Sequence, residues 1–199
     1  MARLRSLEKM KKRLIELIIE RTFRFTEKPS FRLASGTISN YYFNCKPTTL
    51  NSEGMYLVGN LMYNLIKSRK SWRARAVGGL TLGADPVANA IAYAAYMKDD
   101  PFEAFVVRKE PKQHGTMLWV EGNVQKGDKV IIVEDVITTG GSTLKAIDRA
   151  KKCGLRVQGV VVLIDRQEGG REAIEKKGVT VKTLLTREEI FKVYKNAKG

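Results

Sequence analysis

Apolar residues recur at helical spacing along the first two dozen positions: Leu7, Met10, Leu14, Leu17, Ile18 and Phe23 fall on one stripe, with Arg13, Glu16 and Glu20 opposite. The pattern predicts an amphipathic helix over about residues 4–22, packed on a core. Residues 31–44 change period, and their alternation and aromatic content predict a hairpin turning near Ser35-Gly36. A helix follows over 52–67. From residue 74, short apolar runs alternate with helical patterns: strands at 74–80, 102–107, 130–133, 157–164 and 179–185, and helices at 85–97, 144–153, 172–177 and after 186. The run Val130-Ile-Ile-Val133 reads as a strand buried on both faces. Punctuation agrees: Asp85 as N-cap with Pro86 at the first helical position, Gly154 as a C-cap, and Thr186 with Glu189 as a capping box. Such alternation calls for an α/β fold, a mainly parallel sheet with helices on both faces, preceded by a small N-terminal hood.

Composition narrows the class. At 199 residues the chain is most simply one domain, hood over 1–50 and core over 51–199, and 43% hydrophobic content argues against disorder. The apolar runs are too short to span a bilayer, and the N-terminus reads as charged helix rather than signal peptide. Cys45 and Cys153 are too few and too isolated for a disulfide framework or a zinc site, so the expected compartment is the reducing cytoplasm. The formal charge of +15 invites a nucleic-acid reading, but the cations are spread along the chain without a basic tail or a nucleic-acid motif. A basic surface equally attracts polyanionic small substrates. Charge alone does not choose.

The chemistry concentrates in residues 130–143. Glu134 and Asp135 follow the buried strand, where it should end; Val136, Ile137, Thr138, Thr139, Gly140, Gly141, Ser142 and Thr143 then lead into a helix. Ligands of open α/β sheets bind at strand carboxyl ends, and a glycine-rich turn before a helix N-terminus favours an anion. Carboxylates for sugar hydroxyls beside a phosphate cradle suggest a phosphorylated sugar. Neither a P-loop nor a dinucleotide fingerprint is present. The plain alternative, a βα turn with Ser142 as N-cap, accounts for one hydroxyl but not for the carboxylate pair. Thr81 to Ala84 is a second small-residue turn after a strand. Arg108, Lys109, Lys112 and the chain's one histidine, His114, crowd beyond another strand end; such a cluster suits a polyanionic leaving group, although a solvated loop and a structural histidine are the commoner readings. Tyr41, Tyr42 and Phe43 read either as core packing or as a platform for a flat ring.

Residues 130–143 resemble the phosphoribosyl-diphosphate (PRPP) signature of the type I phosphoribosyltransferases. Tyr-Tyr-Phe-Asn at 41–44, Arg-Lys-Glu-x-Lys-x-His-Gly at 108–115 and Asp-Arg-Gln-Glu at 165–168 are similar to segments of the orotate phosphoribosyltransferases, and the likeness covers nearly the whole chain. The resemblance implies the type I phosphoribosyltransferase fold and transfer of ribose 5-phosphate from PRPP to orotate, giving orotidine 5′-monophosphate and diphosphate. It assigns Arg108, Lys109, Lys112, His114, Glu134, Asp135 and residues 136–142 to PRPP, Tyr42, Phe43, Thr138 and Arg166 to orotate, and Lys112, His114 and Asp135 to catalysis. It further implies Mg²⁺ held mainly by PRPP rather than by a protein cage. A homodimer in which the 108–115 loop serves the neighbouring site is implied too, without membrane or nucleic-acid partners. Ala34 stands where many members of the family carry a lysine. A phosphoribosyltransferase for a purine base, and a PRPP-sensing regulator, are the alternatives the residues leave.

Overall fold

The computed structural model describes residues 2–32, 38–112 and 119–198; the expected turn at Ser35-Gly36, Ala34 and His114 lie outside them. Helix α1 (Ala2–Arg21) buries Leu14, Leu17 and Ile18, as the stripe requires. Phe23 does not extend that stripe: it opens a strand, β1 (Phe23–Phe25). Strands β2 (Phe31–Arg32) and β3 (Ile38–Ser39) pair antiparallel, and β4 (Tyr41–Phe43) returns to pair with β1, Phe23 opposite Phe43. A three-residue strand is too short for its alternation to outweigh a helical spacing, which is why β1 hid inside the helix pattern. Tertiary packing of aromatics decides it instead. The Phe23 ring lies 5.1 Å from Phe43 and 5.2 Å from Tyr194 on the last helix.

A single turn, α2 (Lys46–Thr49), leads to α3 (Ser52–Lys67), whose N-cap Asn51 accepts from the Gly54 amide at 3.1 Å. The core follows in chain order: β5 (Ala76–Leu80), α4 (Ala84–Tyr96), β6 (Glu103–Val107), β7 (Val120–Gly122), β8 (Lys129–Ile137), α5 (Gly141–Lys152), β9 (Arg156–Asp165), α6 (Gly170–Glu175), β10 (Val181–Thr186) and α7 (Arg187–Asn196). Asp85 is not the cap of α4. The helix begins one residue before it, and the Asp85 carboxylate instead accepts from the Thr81 hydroxyl at 2.6 Å. Gly154 does close α5, at φ +79°, with the Schellman pair Gly154 N–H to Lys151 O and Leu155 N–H to Ala150 O. The Thr186–Glu189 capping box on α7 is complete.

The main sheet runs β10-β9-β8-β5-β6-β7, parallel throughout except for β7, which turns back on β6. Strand β8 is central, and its side chains separate two cores. Ile131 and Val133 join the cluster under α1, α3, α4 and α7, while Val130 and Ile132 join the one under α5 and α6. Each of these four is essentially inaccessible. Two-sided burial of this kind is what a continuous β-branched run encodes.

Candidate active site

The carboxyl end of β8 is the centre of the site. The strand does not stop before Glu134, as its composition suggested. It runs on to Ile137, because Val136 and Ile137 keep their places opposite Ile164 and Asp165 of β9. Glu134 and Asp135 are therefore consecutive strand residues whose side chains leave on opposite faces. Glu134 turns toward α5, where its Oε2 accepts from Ser142 Oγ at 3.1 Å and from Thr143 Oγ1 at 2.8 Å. Asp135 turns toward the loop after β5: a Cβ on Gly83 would stand 2.7 Å from Asp135 Oδ1, so glycine makes room for the carboxylate. Ser142 is thus not an N-cap. Its hydroxyl serves the buried carboxylate, and the capping position belongs to Gly140, at φ +81°.

Burial governs the electrostatics of the pair. It drives the Glu134 carboxyl up to about 8, with repulsion from Asp135 adding and the Thr143 and Ser142 hydroxyls opposing. Asp135 also rises through burial, opposed by the Val136 amide that donates to its Oδ1 at 2.9 Å and by the charge of Lys46. Two buried carboxyls that cannot easily both ionise are suited to a ligand bringing hydroxyl donors or positive charge.

The pair opens on a cleft of about 360 Å³ whose walls include Phe43, Lys46, Thr81, Gly83, Lys109, Val136 and Ser142. One wall is the start of α5. Its first helical bond is Leu144 N–H to Gly140 O, so the amides of Gly141, Ser142 and Thr143 have no carbonyl partner within the helix. No acidic residue occupies that first turn. The turn is braced from behind: a Cβ on Gly140 would meet Gly170 O at 2.8 Å, and one on Gly170 would meet Thr138 O at 2.3 Å. Thr138 and Thr139 are thereby fixed between strand and helix.

Arg166 begins the segment after β9 and is 5% exposed, its guanidinium 5.9 Å from the Phe43 ring. Nη2 lies 2.8 Å from Glu168 Oε1 as an ion pair, yet Nη2 and Nε are both buried without a hydrogen bond among the described residues. Phe43 is also largely buried, but Tyr42 is 41% exposed and stacks on Phe31 at 5.6 Å. The structure brings Phe43, Lys109, Glu134, Asp135, Val136 and Ser142 around one cavity and sets Arg166 behind Phe43. Arg108 and Lys112 stand elsewhere: both hold Glu121 of β7, at 3.0 Å and 2.5 Å. Arg149 of α5 secures the two stems of their loop, donating to the Arg108 carbonyl at 2.8 Å and lying 4.3 Å over the Trp119 ring. Lys46 escaped the sequence reading altogether. Its one signal was position, immediately after the aromatic run and Asn44.

The arrangement matches a known family. The model of the phosphoribosyl transferase domain matches residues 50–195. An orotate phosphoribosyltransferase from Aquifex aeolicus (strain VF5) is 45% identical over 181 residues, 91% of this chain and 97% of that protein. The chain belongs to the orotate phosphoribosyltransferase family. Among solved members, the Mycobacterium tuberculosis H37Rv enzyme in complex with Fe(III) dicitrate superposes with a TM-score of 0.80 at 37% identity, covering 91% of this chain and 98% of that one. The same enzyme in complex with PRPP gives 0.75 at 35% identity, covering 91% and 98%. The fold expected from the sequence is thus the family's fold.

Proposed function

We propose that the chain transfers ribose 5-phosphate from PRPP to orotate, forming orotidine 5′-monophosphate and diphosphate, a step of pyrimidine nucleotide synthesis. The observation that carries the reading is the buried Glu134–Asp135 pair facing, across one cleft, the unpartnered amides that open α5. The family to which the chain belongs supports it, and its relatives bear the orotate name.

In the reaction the bond from the anomeric carbon to diphosphate breaks, its electron pair leaving with diphosphate, and a ring nitrogen of orotate gives up its proton and bonds to that carbon. Residues 138–142 take the 5′-phosphate on amides and hydroxyls. Glu134 and Asp135 accept from the ribose hydroxyls and favour the positive charge that develops on the sugar ring. Arg166 meets the orotate carboxylate with its unused N–H, beside Phe43, while Tyr42 and Thr138 bound the base. Lys109 already faces the cleft; Arg108 and Lys112 must leave Glu121 to reach the departing diphosphate, which His114 of the same loop would protonate. Lys46 offers a further cation on the cleft wall, suited to the work of the family lysine that Ala34 replaces. Among the described residues no three His, Cys, Asp or Glu side chains converge as a metal cage. Mg²⁺ would enter with PRPP, held mainly by the substrate and neutralising the charge of diphosphate, and Glu134 and Asp135 line the cleft that would receive it. Among the described residues no helix is long and apolar enough to cross a membrane.

We also infer a homodimer in which the 108–115 loop is shared between subunits, Lys109 lining its own cleft and Arg108, Lys112 and His114 reaching the partner's. An apolar face supports this: Tyr56 of α3, Tyr93 of α4 and Met97 just beyond it are each more than 60% exposed around a groove of about 490 Å³. Mixing an Arg166→Ala variant with a Lys112→Ala variant should then partly restore, at low orotate, the activity each lacks alone. The primary test is loss of orotate absorbance on adding PRPP and Mg²⁺, with purine bases as controls. Turnover of a purine and not of orotate would overturn the assignment.

A further inference from the structure

The end of the sheet opposite the catalytic cleft carries a second cavity, of about 440 Å³, lined by Ile66, Lys67, Arg69, Lys70, Trp72, Arg73, Ala74 and Phe102. It lies between the end of α3 and the amino ends of β5 and β6. The five residues of β5 alone put ~16 Å between it and the cleft. Four of the lining residues are cations and none is acidic. One of the four, Lys67, is neutralised by Asp100 at 2.7 Å, as the neighbouring Arg75 is by Asp128 at 3.0 Å. Arg69, Lys70 and Arg73, by contrast, have no carboxylate or side-chain hydrogen-bond partner among the described residues. Like charges this close repel, and folding gains nothing from them.

The walls are built rather than accidental. Backbone bonds Arg69 N–H to Ile66 O, Trp72 N–H to Arg69 O, Arg75 N–H to Lys129 O and Glu103 N–H to Arg75 O fix the loop to the sheet. Trp72 is seated against β9 at Gly159, where a Cβ would come within 2.2 Å of the indole. That glycine stands at a register irregularity in β9, so the sheet gives up regularity where the ring rests. The indole is half-buried, held beside three unpaired cations.

We propose that this cavity binds a nucleoside polyphosphate, its base against Trp72 and its phosphates on Arg69, Lys70 and Arg73, at a site separate from catalysis. The volume is that of a small-ligand site, a guanidinium pair suits phosphoryl oxygens, and a fixed aromatic face suits a base. The inference does not depend on which base the catalytic cleft takes. ATP is a suitable probe, with inorganic triphosphate as control. In a Trp119→Phe background the remaining tryptophan is Trp72, so its fluorescence reports the cavity directly. ATP should quench it saturably, with PRPP neither competing nor required, and inorganic triphosphate should bind at least about tenfold more weakly. Arg69→Ala with Arg73→Ala should weaken ATP at least about tenfold while leaving melting temperature and orotate turnover unchanged. Equal affinity in that double variant, displacement of ATP by PRPP, or triphosphate binding as tightly as ATP would each overturn the proposal. So would saturable quenching by single-stranded RNA stronger than by ATP, which would make the corner a nucleic-acid surface.

Discussion

Replacing Glu134 by glutamine should stabilise the unliganded protein while disabling it. An unfolded glutamate titrates near 4.5, whereas the folded site pushes Glu134 up to about 8. Below pH 4.5 both states hold the proton and the folded state has its full stability. As pH rises, the unfolded chain ionises and the native site resists, so stability is lost progressively until the native carboxyl also ionises near 8. Between pH 4.5 and 7 that is two and a half pH units at ~1.4 kcal/mol each, or about 3 kcal/mol, shared with Asp135 because the two carboxyls titrate as a pair. Glutamine keeps an acceptor for Ser142 and Thr143 but has nothing to ionise. Calorimetric melting without ligand, from pH 5 to 8, should show the variant and wild type nearly together at pH 5. They should then separate, the variant higher by roughly 6–12 °C at pH 7. Differencing the two proteins removes the effect of titrating groups other than the coupled Asp135. Parallel melting curves at every pH would refute the claim that Glu134 is strained by burial. Turnover of the variant should fall at least about a hundredfold if its carboxylate meets the transition state.

Other substitutions probe separate parts of the site. Gly140→Ala should cost about 1–3 kcal/mol of stability and raise the PRPP KM, since it combines a positive φ with a 2.8 Å approach to Gly170 O; an unchanged KM would detach the α5 turn from phosphate binding. Arg166→Ala should raise the orotate KM by about ten- to a hundredfold with the PRPP KM nearly unchanged, and equal effects on both would count against a role in base binding. Glu121→Gln releases Arg108 and Lys112, so the PRPP KM should fall about two- to fivefold at low salt, an effect that should shrink as ionic strength rises. No change at any salt concentration would mean that Glu121 does not compete with substrate.

What could be read from the chain was what neighbouring residues decide together. Val130 to Thr143 announced itself because a two-sided strand, a carboxylate pair and a glycine-rich turn are local patterns, and α3 and the α7 capping box were legible for the same reason. The misreadings share one cause. Phe23 entered a strand because Phe43 and Tyr194 were waiting for its ring. Asp85 gave up its cap to bond Thr81, and Ser142 gave up its cap to bond Glu134. Each time a long-range or burial-driven partner outbid the local rule. Lys46 and the Glu121 clasp on Arg108 and Lys112 follow the same logic, since nothing near them in sequence names their partners.

The contact between Gly140 and Gly170 reaches beyond stability. The turn proposed to hold phosphate and the segment that carries Arg166 rest on each other across a gap too narrow for a methyl group. A new loop grafted at residues 166–169 to test base choice will therefore also press on the 138–142 turn. A graft that preserves the glycine at 170 leaves that turn its place; any side chain there would push into Thr138 O at 2.3 Å.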